Sequence, residues 1–186
     1  MEETPRYNPM QTVKRRFFAM RNGIIADVYR KAGSPYRIIF GLNLPQIVEI
    51  AQETAPSREL AEALWANTTT RESLLLAPML MPLDEFSADD ARRWAASAPD
   101  FEAADILCHR LLRHLPDAAA LAGEFAAADD AMTRYVGVRL AFNILYSQSS
   151  AAIAAARTAI AKAENDAAAR VARQVLDEAD ACGYSL

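Results

Sequence analysis

Cysteine, histidine and tryptophan are each used only twice in 186 residues. Cys108 and Cys182 lie far apart, form no C-x-x-C pair, and have only His109 and His114 as further soft ligands. A closed zinc site wants four nitrogen or sulfur ligands, and a disulfide framework wants several paired cysteines. This chain has neither. The two histidines are five positions apart and miss the i, i+4 spacing that places two ligands on one helical face, so they read as solvated. Cys108 reads as a small buried apolar residue. No metal and no cofactor is expected. Long hydrophobic runs are also missing: the stretch 74–81 is interrupted by Pro78, whereas a membrane-spanning helix needs about 20 apolar residues. No transmembrane helix and no membrane partner is expected. In place of the apolar core of a secretory signal, the first residues carry Glu2, Glu3, Pro5 and Pro9. With unpaired thiols, the expectation is a soluble cytoplasmic protein.

Strand signals are scarce, and 36–40 is the only β-leaning stretch. Glycine and proline sit mostly at junctions, while alanine, leucine, arginine and glutamate fill the segments between them. That is the composition of helices with short connections. The spacing predicts eleven helices, over 12–22, 24–32, 44–53, 58–66, 71–81, 88–96, 101–114, 118–127, 131–146, 150–163 and 166–181. Asn43, Ser57, Thr70, Ser87 with Asp90, Asp100, Asp117, Asp129 or Asp130, Ser149 and Asn165 are the expected N-caps, and Gly183 the final C-cap. Connections this short make successive helices antiparallel neighbours.

The second helices of successive pairs, near Arg71, Phe101, Ala131 and Asp166, recur at about 30 to 36 residues. Such recurrence is the mark of stacked helical hairpins, none of which can bury its apolar face alone. The expected fold is therefore all-α, a HEAT-like or ARM-type α-α superhelix of antiparallel hairpins. Trp65 and Trp94 read as hydrophobic anchors between repeats. The alanine-rich end, 150–172, suggests close packing, a capping repeat, or contact with a second copy.

A net charge of -4 argues against a generally basic nucleic-acid binder, but the charge is segregated. Residues 1–42 hold eight cations against three acids, a net +5, which leaves -9 for the remainder. The expected organisation is a basic N-terminal pair of helices, 1–42, packed on a HEAT-like repeat domain, 43–186. The basic section can offer phosphate contacts, which dominate nucleic-acid affinity. Alternatively it is a solvated face that offsets the acidic remainder.

Four runs carry a resemblance: Leu60-Ala-Glu-Ala-Leu-Trp65, Thr70-Arg-Glu-Ser-Leu-Leu-Leu-Ala77, Asp100-Phe-Glu-Ala-Ala-Asp105 and Met132-Thr-Arg-Tyr-Val-Gly-Val-Arg139. Together they resemble the HEAT-like-repeat DNA alkylation repair family, over roughly residues 47–145. The resemblance implies duplex DNA held across a concave helical surface. In active members it also implies hydrolysis of the N-glycosidic bond of purines alkylated at N3 or N7, as a 3-methyladenine or 7-alkylguanine glycosylase. It makes Asp105 the catalytic carboxylate and Phe101, where the family has tryptophan, its aromatic partner. The family's phosphate-holding arginine falls at or beside Tyr135, with Arg134 or Arg139 as substitutes. A further tryptophan of the active group has no counterpart after Ser150.

Without the resemblance, Phe101 reads as a core aromatic and Asp105 as an acid beside His109 or Arg110. Arg71, Arg134, Arg139, Arg170 and Arg173 form either a DNA-binding ridge or a set of repeat-to-repeat bridges to acids and helix carbonyls. Two function classes stay open: a DNA alkylation repair-like protein that binds damaged DNA, or a non-catalytic interaction module receiving a protein partner in its groove. A homodimer is compatible with both.

Overall fold

The computed structural model describes residues 8–184. Among them are eleven α-helices: α1 Pro9–Ala19, α2 Gly23–Lys31, α3 Leu44–Glu53, α4 Arg58–Trp65, α5 Arg71–Leu80, α6 Ala88–Ala96, α7 Phe101–Arg110, α8 Ala118–Ala126, α9 Ala131–Ile144, α10 Ser149–Lys162 and α11 Ala167–Ala181. None is long and apolar enough to cross a membrane. The helices fall into two compact units, Met1–Glu85 and Phe86–Leu186.

The helix starts follow the capping chemistry. Asn43 with Gln46, and Ser87 with Asp90, form reciprocal capping boxes, and Asp100 accepts from the Ala103 N–H. Several starts differ from expectation; α10, for one, opens at Ser149 behind Gln148, where Ser149 was the expected cap. α1 opens three residues early because Asn8 and Gln11 close a capping box around Pro9, a residue that fits the first helical turn. α11 is capped by Asp166 instead of Asn165. The expected helix over 101–114 also breaks, because Leu111 leaves helical geometry and a 3-10 turn, Leu112–His114, follows.

In the first unit the β-leaning stretch forms one parallel bridge, Ile38 to Thr70. It serves as a helix cap: the Arg71 N–H donates to the Ile38 carbonyl at 3.2 Å, while Thr70 makes no side-chain cap bond. The next residue, Glu72, is fully buried and accepts from the Phe40, Gly41 and Leu42 N–H groups at 3.1, 2.9 and 3.3 Å. Gly41 has φ +77°, and a Cβ there would lie 2.2 Å from the Asn22 carbonyl oxygen, so only glycine lets the chain turn here. α5 packs on α3 and α4, and Trp65 is buried in this unit's core.

In the second unit α9 is the central element, packed against α6, α7, α8, α10 and α11. Its Val136, Val138, Leu140 and Ala141 are buried. Trp94 is also fully buried, edge-on to Phe86 at 5.2 Å, as a core anchor should be. Gly137 sets the α8–α9 distance, since a Cβ on it would lie 2.3 Å from the Ala126 nitrogen. The alanine-rich end packs closely: Ala152, Ala155, Ala156 and Ala159 of α10, with Ala168, Ala169 and Ala172 of α11, are buried inside the chain. These alanines are used within the chain.

Two stability outcomes follow from these contacts. Gly137→Ala forces two backbones apart and should cost about 1–3 kcal/mol or more, in the range of overpacking. Glu72→Ala strands three N–H donors and a buried guanidinium, and should cost about 3–5 kcal/mol. Urea unfolding of each variant against the parent checks both.

Candidate functional site

The hairpins keep a nearly constant length. The first helices of the hairpins, α4, α6, α8 and α10, begin at 58, 88, 118 and 149, and the second helices, α5, α7, α9 and α11, at 71, 101, 131 and 167. From α7 to α9, residues 30 apart therefore occupy the same register. Asp105 on α7 and Tyr135 on α9 are such a pair, and the Tyr135 hydroxyl donates to Asp105 Oδ1 at 2.9 Å. Arg139, one turn beyond Tyr135, places Nε 2.7 Å from the same oxygen. Phe101, one turn before Asp105, packs against Tyr135 with ring centroids 4.4 Å apart and the planes tilted by 41°.

Phe101 is 47% exposed, so it is not a core residue. Its position at the start of α7 turns it outward, and Ala103, Ala104, Leu107 and Cys108 fill the buried face instead. Asp105 neighbours Tyr135 and Arg139, where the sequence had suggested His109 or Arg110. His109 instead pairs with Asn143 at 3.0 Å. Burial raises the Asp105 pKa above the ordinary carboxylate value, although Arg139 and the Tyr135 hydroxyl both oppose the rise. Burial and the Asp105 charge push the Tyr135 phenol up. Burial does the same for the Cys108 thiol, whose S–H faces the Val136 carbonyl and is held in its protonated, unreactive form.

The other arginines are placed elsewhere. Arg71, in the first unit, is 2% exposed; it donates to the Leu42 carbonyl and the Tyr29 hydroxyl and pairs with Glu72 at 3.1 Å. Arg134 is 5% exposed and reaches the Ala128 and Asp129 carbonyls and Asp166 Oδ2. Asp166 uses its other oxygen to cap α11 through the Ala169 N–H. Arg134 thus ties the α8–α9 turn to the first turn of α11, which is a repeat-to-repeat bridge. Arg170, at the same register of α11, is exposed, and Arg173 donates to the Glu164 carbonyl. Of the five arginines, Arg139 is the one brought to Asp105.

Tyr135 was read from the sequence only as the residue standing where an arginine was expected. The signal that places it opposite Asp105 is the 30-residue period itself. The assembled group offers a carboxylate for developing positive charge, a half-exposed ring for a flat cationic group, and a guanidinium for an anionic oxygen.

A family model described as DNA alkylation repair enzyme matches residues 13–180. The chain belongs to that family. Among solved structures, it is similar to one described as a new family of proteins related to the HEAT-like repeat DNA glycosylases, with affinity for branched DNA structures. The TM-score is 0.76 at 18% identity, over 91% of this chain and 75% of the other. No curated protein matches. The likeness establishes the all-helical HEAT-like fold for this alkylation repair family member.

The raised Asp105 pKa makes a pH prediction. A carboxyl group that holds its proton more tightly in the folded state binds more protons folded than unfolded, from the ordinary value of 3.8 up to its raised value. Its contribution to stability is then lost as pH rises through that window. Relative to Asp105→Asn, the parent should lose stability as pH rises from about 4 toward neutral. A parallel pair of stability–pH curves from urea unfolding would contradict the assignment.

Proposed function

We propose that this chain binds DNA, with the duplex on the concave face that the family resemblance implies and with the Phe101–Asp105–Tyr135–Arg139 group at the contact. The observation that carries this reading is the ion pair between Asp105 and Arg139 beside a half-exposed aromatic ring, formed where the family's motif places its acid and aromatic. The nearest chemistry is hydrolysis of the N-glycosidic bond of a purine alkylated at N3 or N7. Alkylation makes the base a cationic leaving group, and the Asp105 carboxylate stabilises the positive charge that develops on the sugar and orients the attacking water. Phe101 offers its face to the cationic lesion. Arg139 exchanges Asp105 for a backbone phosphate oxygen, which frees the carboxylate at the moment DNA is bound.

Arg170 and Arg173 lie toward the C-terminal end as further phosphate contacts. Arg71 supports the first unit and Arg134 the second, which carries the site, since their donors are already taken by protein groups.

A second reading is favoured by two observations. Asp105 is held by both Arg139 and Tyr135, and Phe101 replaces the larger tryptophan, which suits a binder without excision. It takes the form of an interaction module with a protein partner. Salt separates the classes, because phosphate binding weakens steeply with ionic strength and apolar docking does not.

The test uses methylated duplex DNA. Purified protein should release 3-methyladenine or 7-methylguanine, and Asp105→Asn should lower the rate by about 100-fold or more, the scale of losing one preorganised electrostatic group. DNA binding without release keeps the DNA contact and removes the excision step. Equal release by the parent and Asp105→Asn removes Asp105 from the chemistry, and no DNA binding at low salt ends the whole proposal.

A further inference from the structure

The basic section at the N-terminus has no part in the site around Asp105, and its cations are not alike. Arg16 pairs with Glu49 and Glu53, and Arg30 pairs with Asp27. Lys14 and Arg21 have no acidic partner among the described residues. They converge on one feature. α1 is anchored by Val13 and Phe17, both buried, with Phe17 packed 5.7 Å from Phe40. The neighbouring Phe18 is thereby turned outward and is 58% exposed.

Lys14 and Arg15 stand four and three positions before Phe18, on the same helical face. Arg21 donates to the Phe18 carbonyl at 2.8 Å, which brings its guanidinium over the ring at 3.9 Å from the centroid. Thr12, Lys14, Arg15, Arg16, Phe18 and Ala19 line an open surface concavity.

An exposed phenylalanine alone needs no explanation, because single apolar residues are common on surfaces. A ring fixed by a guanidinium and flanked by cations one turn away has a more specific chemistry. It offers a stacking surface and phosphate partners together, the combination that recognises unpaired nucleotides. A closed duplex can satisfy only the cations, since its bases are already stacked on each other. We infer that the Lys14–Arg15–Phe18–Arg21 face binds an unpaired DNA segment, with a base on Phe18 and the flanking phosphates on the cations. The inference rests on the DNA-binding reading above and adds a second contact to it, on separate residues and for a different DNA form.

The probes are a fluorescein-labelled fork with an oligothymidine arm of about 12 nucleotides, within the site sizes of single-strand binders, and a blunt duplex of the same paired length. Fluorescence anisotropy at low salt should show the parent preferring the fork. Phe18→Ala should weaken fork binding by about 5-fold or more, the value of one stacked base, and leave duplex affinity within about two-fold, the margin expected when no phosphate contact is lost. Phe18→Trp should retain the preference.

Equal binding of fork and duplex by the parent, or an unchanged preference in Phe18→Ala, overturns this inference and leaves the site around Asp105 untouched. Failure to bind either DNA overturns both. A parent that sediments as a dimer, and a Phe18→Ala variant that sediments as a monomer, would identify the face as a contact between copies and overturn the inference as well.

Discussion

A short amphipathic helix cannot bury its apolar face alone, and the pairing of helices into hairpins of nearly equal length is the constraint on which the other features depend. Because α6, α7, α8 and α9 begin at 88, 101, 118 and 131, side chains at like positions of α7 and α9 meet. That single periodicity brings the Tyr135 hydroxyl to Asp105 and, one turn on, Arg139 to the same carboxylate. Small residues let the packing close: Gly137 admits the backbone of α8, and the buried alanines of α10 and α11 let those helices approach closely.

Buried charge is used in two distinct ways. Glu72 and Arg134 are fixed by several backbone groups and by ionic partners, and each ties a turn to a helix end. Such groups are costly to remove, because their loss strands partners that no water can reach. Asp105 and Arg139 are less buried and have fewer partners, so their pairing can be exchanged for a ligand. The contrast in burial separates the arginines that support the scaffold from the one that pairs with Asp105. The sequence lists these arginines side by side without distinguishing them.

The legible part of the chain was set by local rules. Cap residues, proline positions and helix-forming composition placed eleven helices, with misplaced ends where Asn8 capped ahead of Pro9, where Asp166 replaced Asn165, and where Leu111 broke a run. The motif around Asp105 was legible because four residues span one helical turn, which puts Phe101 and Asp105 on one face. Two things were not legible: the outward turn of Phe101, which depends on which neighbours fill the core, and the partner of Asp105, which lies 30 residues away.

Sequence alone determined the helical class, the hairpin repeat and the family, because propensity, capping and periodicity act over a few residues or recur at a fixed interval. Tertiary structure decided which charges are available. Arg71 was withdrawn into the fold by the distant Leu42 carbonyl and Tyr29 hydroxyl, and Arg134 by the distant Asp166, while Arg139 was brought to Asp105 and Phe18 was left outward with Arg21 on its ring. The physical reason is that a charged side chain's role depends on its desolvation and its partners, and both are set by packing between helices.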